Sequence, residues 1–103
     1  MPSTRPASVK VIGKTYSITY TNGRPLDDGN LGEMDPDKQT LTVKKGQPLE
    51  QEQDTVLHEV MHAIDHELGL SLSEKHVKGM ATGLLAVMKD NPRFVTYLRK
   101  ADK

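Results

Sequence analysis

Apolar and polar residues alternate in the first half of the chain and recur every third or fourth residue in the second. Thr15-Tyr16-Ser17-Ile18-Thr19-Tyr20-Thr21 sets Tyr16, Ile18 and Tyr20 on one side of an extended segment, because successive strand side chains point to opposite faces. Val9, Val11 and Ile12 precede it and lead into Gly13-Lys14. Asn22-Gly23 supplies turn chemistry, and Arg24 to Asn30 reads as a loop. A short strand from Leu31 to Met34, the turn Asp35-Pro36-Asp37-Lys38, and an alternating run from Gln39 to Val43 read as a second hairpin. The pattern predicts a small antiparallel sheet over about residues 9–43.

From Pro48 the period changes. Leu57, Val60, Ile64 and Leu68 recur at helical spacing and predict an amphipathic helix over about residues 48–68. Pro48 suits a first turn, Glu50 and Glu52 favour the positive end, and Gly69 offers a C-terminal cap. Ser71 or Ser73 can cap a second helix, over about residues 73–90, and Ser71 with Glu74 has the form of a capping box. Val77, Ala81, Leu84 and Met88 line one face of it. Asn91-Pro92 breaks the pattern, and Phe94, Tyr97 and Leu98 suggest a short C-terminal helix. The fold class is therefore α+β, with a small sheet followed by helices.

Composition narrows the chemistry. A chain of 103 residues forms one domain, taken as residues 8–103, after a polar, flexible tail at 1–7 that carries Pro2 and Pro6. Hydrophobic residues make up 35%, so the core is thin and a staple would help it. There is no cysteine, so any metal must be held by His, Asp or Glu. Fourteen basic residues balance fourteen acidic ones, which argues against a nucleic-acid partner. Arg93, Arg99, Lys100 and Lys103 are diluted by Asp90 and Asp102 and read as a solvated helix end. No apolar run is long enough to span a bilayer, and MPSTRPASVK lacks the apolar region of a signal peptide, so a cytoplasmic protein is expected.

All four histidines fall between Leu57 and His76. His58-Glu59-Val60-Met61-His62 is an HExxH pattern inside the first predicted helix. At this spacing His58 and His62 lie about 40° apart around the axis and one turn apart along it, so both imidazoles can reach one ion. Glu59 falls beside that ion, where a carboxylate can relay a proton from activated water. The core stripe occupies the other side of the helix. A surface histidine pair is the bland alternative.

A zinc site on this pattern needs a third protein ligand. Asp65 sits on the edge of the histidine face, and Glu67 points away. His66 climbs past the pair, because each turn rises by about 5.4 Å. Glu74 lies on the stripe that should pack on the first helix, and His76 is about 200° around from it. Glu74 is the best placed, although a capping role with Ser71 competes for it, and residue pattern alone leaves His66 and His76 open. Three protein ligands and one open position make a catalytic rather than a structural zinc site. Tyr97, His76 and Arg93 are candidate oxyanion donors; their bland readings are a core aromatic, a surface imidazole and a surface cation. An edge strand at Leu31 to Met34 or Gln39 to Val43 could receive an extended peptide.

HEVMHAIDHELG followed by LSLSEKHVKGMATGLLAVMKDNPRF resembles the small HExxH metallopeptidase-like proteins encoded by bacteriophages and prophages, which are similar in layout to the ImmA/IrrE group of zinc metallopeptidases. The resemblance covers roughly Val9 to Leu98, and only the HExxH and Glu74 regions are specific. It implies a minimal zincin-like fold with one Zn²⁺ per chain held by His58, His62 and Glu74, with Glu59 as the catalytic glutamate and a peptide or protein as substrate. Position 78, where some relatives carry an aspartate, is Lys78, so support of the site would fall to Asp65 or Asp54. The chain is short, with little material for a substrate cleft. Two readings compete with a peptidase: a non-catalytic, zinc-stabilised phage binding or assembly module, and a metal-free interaction domain.

Overall fold

The computed structural model describes residues 5–22 and 30–101. Its elements are β1 (Ser8–Val11), β2 (Lys14–Thr21), β3 (Gly32–Asp35), β4 (Thr40–Lys44), α1 (Leu49–Leu68), α2 (Glu74–Asp90) and α3 (Pro92–Arg99). Both expected hairpins form. Ile12 and Gly13, each at positive φ, make a two-residue turn between β1 and β2, the turn geometry that matches strand twist. Asp35 Oδ1 accepts from the backbone N–H of Asp37 at 3.0 Å and of Lys38 at 3.2 Å, which closes the second hairpin. Gly23 and most of the expected loop at Arg24 to Asn30 lie outside the described residues.

The sheet is mixed, which corrects the antiparallel expectation. Its order is β1-β2-β4-β3, and β2 runs parallel to β4. Hairpin signals are local and dictate only the pairs β1–β2 and β3–β4. Which strands of the two hairpins then meet is decided by burial. Tyr16, Ile18, Leu41 and Val43 make β2 and β4 the most buried strands, so these take the centre. Each is the second strand of its hairpin, and they meet in parallel. Ile18 pairs with Leu41 and Tyr20 with Val43, which merges the two apolar faces into one.

α1 packs on that face through Val56, Val60, Ala63 and Ile64. Its other side meets α2 through Leu57, Met61 and Ile64 against Val77 and Ala81, with Leu72 of the connection packed alongside. The expected single stripe is thus two stripes, because α1 lies between a sheet and a helix. Met61 and Ala63 are buried, while Leu68, expected in the core, is 54% exposed. On α2, Leu84 stays 41% exposed. Its end of the helix faces the polar first turns of α1, with Thr82 bonded to Asp54 and Lys89 near Glu50.

The caps refine the boundaries. Pro48 is the N-cap of α1 rather than its first residue, and Gly69 closes the helix at φ 64° as expected. Ser73, not Ser71, caps α2, accepting from the backbone N–H of His76. Ser71 itself sits at φ 58°. Of the expected tail, residues 1–4 lie outside the described residues. Residues 5–7 are tied down: Arg5 donates to the buried Glu52 at 2.8 Å, Pro6 O accepts from Tyr20 Oη, and Ala7 O accepts from Ile18 N–H. Among the described residues no helix is long and apolar enough to cross a membrane.

Candidate metal centre

His58 and His62 project from one face of α1, one turn apart, with ring centroids 4.9 Å apart. Their Nε2 atoms lie 3.2 Å from each other. Glu74, the first residue of α2, reaches across to both: Oε1 lies 2.5 Å from His58 Nε2, and Oε2 lies 3.3 Å from His62 Nε2. One donor atom from each of the three residues falls within 4.8 Å of the others, so His58, His62 and Glu74 could hold a metal ion. The expected conflict between capping and binding does not arise. Ser73 caps the helix, and the Glu74 carboxylate is left to turn toward the histidines.

Two contacts place Glu74. Asp65 Oδ1 accepts from the backbone N–H of Leu72 at 3.1 Å, and Asp65 O accepts from Leu70 N–H. Asp65 therefore stands outside the donor group and shapes the connection that delivers Glu74. At the far end of the helix pair, Thr82 Oγ1 donates to Asp54 Oδ1 at 2.9 Å. The two helices run antiparallel, with His58 and His62 beside Glu74 and Asp54 beside Thr82.

Glu59 points from the same turn of α1 toward β3 and is 5% exposed. Burial, and then the nearby carboxylates of Glu74 and Glu33, push its carboxyl up to about 7. Gly32 of β3 is what lets the strand come so close. A Cβ there would meet Thr55 Cγ2 at 2.8 Å and Glu59 Cγ and Oε2 at 3.0 Å. Thr55 cannot easily yield, because its hydroxyl donates toward Gln47 Oε1 and Gln51 O. A Gly32→Val protein should therefore displace Glu59 and lose roughly 10–100-fold in any Glu59-dependent activity while still binding metal. Parallel metal titration and activity assays check this, and wild-type activity would remove Gly32 from the account.

These groups line a cleft of about 620 Å³ between β3, α1 and α2, which includes Asn30, Glu33, Met34, Asp54 and Lys78. It answers the expectation that the chain holds too little material for one.

The structure separates the remaining candidates from this cleft. His66 is exposed one turn beyond His62, as the climb of the helix requires. His76 is exposed on α2, two residues past Glu74 and thus on another side of the helix. Glu67 points away, bonded to Tyr16 Oη at 2.7 Å and near Lys14. Tyr97 is 67% exposed on α3, which contacts α2 alone, and Arg93 is exposed on the same helix. None of the three oxyanion candidates lines the cleft. Gly32 and Asn30 were not legible as site residues, since only the sheet's strand order brings them there. Lys78 carried a signal, lying one turn after Glu74, but was read only as a missing aspartate.

Comparison of the chain with protein families, with characterised proteins and with solved structures finds no match.

Proposed function

We propose that this protein is a zinc-dependent metallopeptidase, hydrolysing peptide bonds in a cleft between β3 and the α1–α2 pair. The observation that carries the reading is the placement of a buried carboxylate, Glu59, in the same cleft as the His58, His62 and Glu74 donors. The donor set fits zinc. Bonds of about 2.0–2.1 Å in a tetrahedron hold neighbouring donors about 3.3 Å apart. His58 Nε2 to His62 Nε2, at 3.2 Å, and His62 Nε2 to Glu74 Oε2, at 3.3 Å, already have that value. The other carboxylate oxygen, Oε1, contacts His58 Nε2 directly, and this contact opens as an ion enters.

When bound, zinc supplies Lewis acidity toward water and the substrate carbonyl. The chain's own residues do the rest. Glu59 takes a proton from the attacking water and passes it to the leaving amide nitrogen as the C–N bond breaks. Its burial keeps it a strong enough base for the first transfer and a strong enough acid for the second. β3 is an edge strand, with one side free of the sheet's ladder. An extended peptide can pair with it and run past Glu59. The order of sheet, HExxH helix and glutamate-bearing helix supports kinship in layout with the ImmA/IrrE-like peptidases of phages.

A second reading has one observation in its favour. The metal group ties α2 to α1, whose shared buried cluster is only Met61, Val77 and Ala81. Zinc could serve there as a staple in a binding or assembly module. The buried Glu59 favours catalysis, because a staple has no use for it.

The first test is metal content. Protein purified without a histidine tag should carry or take up about one zinc per chain by elemental analysis and titration. No uptake would sink both readings and leave a metal-free domain.

A further inference from the structure

None of the expected oxyanion donors lines the cleft, yet the cleft does contain a cation. Among the described residues that line it, Lys78, itself exposed, is the one lysine or arginine, and it shares the cleft with the carboxylates of Glu33, Asp54, Glu59 and Glu74. Lys78 lies one helical turn after Glu74, so its backbone is about 5.4 Å further along α2. Along α2 it lies midway between Glu74, which contacts His58, and Thr82, which bonds Asp54. It makes no ion pair within 4.0 Å among the described residues, although four carboxylates share its cleft. A cation that shares the cleft with the metal group and has no ion pair there is available to an anion that arrives with the substrate.

We propose that Lys78 is the oxyanion donor of this site, a role that rests on the metallopeptidase reading. As water adds to the scissile carbonyl, the carbonyl oxygen gains negative charge. The Lys78 ammonium donates a hydrogen bond to that oxygen and keeps its proton throughout. Lys78 is exposed in the empty cleft, so such a donor gains strength as a bound substrate displaces water from around it. Lysine is a point charge on a flexible stem, so it can follow the oxygen as the carbon becomes tetrahedral. A donor on α2 also couples the two halves of the site. The same helix presents Glu74 to the ion and Lys78 to the substrate.

Two probes separate this role from the metal's. N-phosphoryl-leucinamide presents tetrahedral anionic oxygens, like the species formed from an amide. Acetohydroxamate chelates zinc without a tetrahedral anion. Calorimetry on the zinc-loaded full chain should show Lys78→Met binding the phosphoryl probe roughly 10–100-fold more weakly, with hydroxamate affinity and zinc content unchanged. Lys78→Arg should recover most of the loss. Equal phosphoryl affinity in wild type and Lys78→Met overturns the assignment and leaves the peptidase reading standing. Equal weakening of both probes also overturns it, since Lys78 would then be shaping the metal group. If wild-type zinc protein binds neither probe, the peptidase reading fails and the Lys78 role fails with it.

Discussion

A Glu59→Gln protein should take up zinc as the wild type does and lose roughly 10²–10⁴-fold in peptide hydrolysis. Glutamine matches glutamate in size, so it keeps the tight fit against Gly32 and Thr55. It cannot receive and release the proton. Parallel zinc titration and peptide cleavage check this, and normal cleavage by the variant would refute the catalytic role. The substitution has a second consequence, in the metal-free protein. Burial lifts the Glu59 carboxyl from its ordinary 4.5 to about 7 in the folded chain. Between those two values the folded state holds a proton that the unfolded state has released. The stability this contributes is full below about pH 4.5 and is lost as pH rises through about 7. Wild-type protein stripped of metal should therefore lose up to about 3 kcal/mol relative to Glu59→Gln between pH 4.5 and 8. Urea unfolding at the two pH values measures the difference, and the histidines, common to both proteins, cancel. A flat difference would mean that Glu59 keeps its charge when folded.

What could be read in the chain beforehand divides by range. His58, Glu59 and His62 are set by one helix, and helical spacing alone states which of them could share one ion. Glu74 needed one more step, the packing of α2 on α1, and its stripe with Val77 and Ala81 carried that information. Gly32 was out of reach. It enters the site because β4 lies between β2 and β3, leaving β3 as the edge over Glu59, and no hairpin signal encodes that order. The same gap made the sheet look antiparallel. Lys78 was visible but misweighted. Judged against the aspartate of other proteins it was a defect, whereas in the cleft it is a cation with no ion pair among the described residues. Tyr97 and His76 drew attention by chemical type, and position removes them: Tyr97 belongs to α3, which meets α2 alone.

Replacing Glu74 by alanine should weaken zinc binding by more than about 100-fold, beyond the 10–100-fold typical of outer-shell partners. The side chain is 65% exposed, so little packing is lost. Ser73 holds the helix cap through its bond to the His76 N–H, so the α2 N-terminus also survives. Loss of the ligand is then the main change, and metal-free Glu74→Ala should melt close to metal-free wild type. Zinc separates them. At a free concentration of 100 times the wild-type Kd, zinc adds about 2.7 kcal/mol to the wild type but only about 0.4 kcal/mol to a variant bound 100-fold more weakly. For a domain of this size that is a rise in Tm of roughly 10–20 °C against about 2–3 °C. His66→Ala and His76→Ala serve as controls, because both residues are exposed and neither joins the donor group. Both should respond to zinc as the wild type does. If His76→Ala loses the zinc response and Glu74→Ala keeps it, the third ligand is His76, and α2 must turn by about 200° about its axis to present it. That rotation would lift Val77 and Ala81 out of the α1 contact, so the two ligand sets imply different packings and cannot both be right.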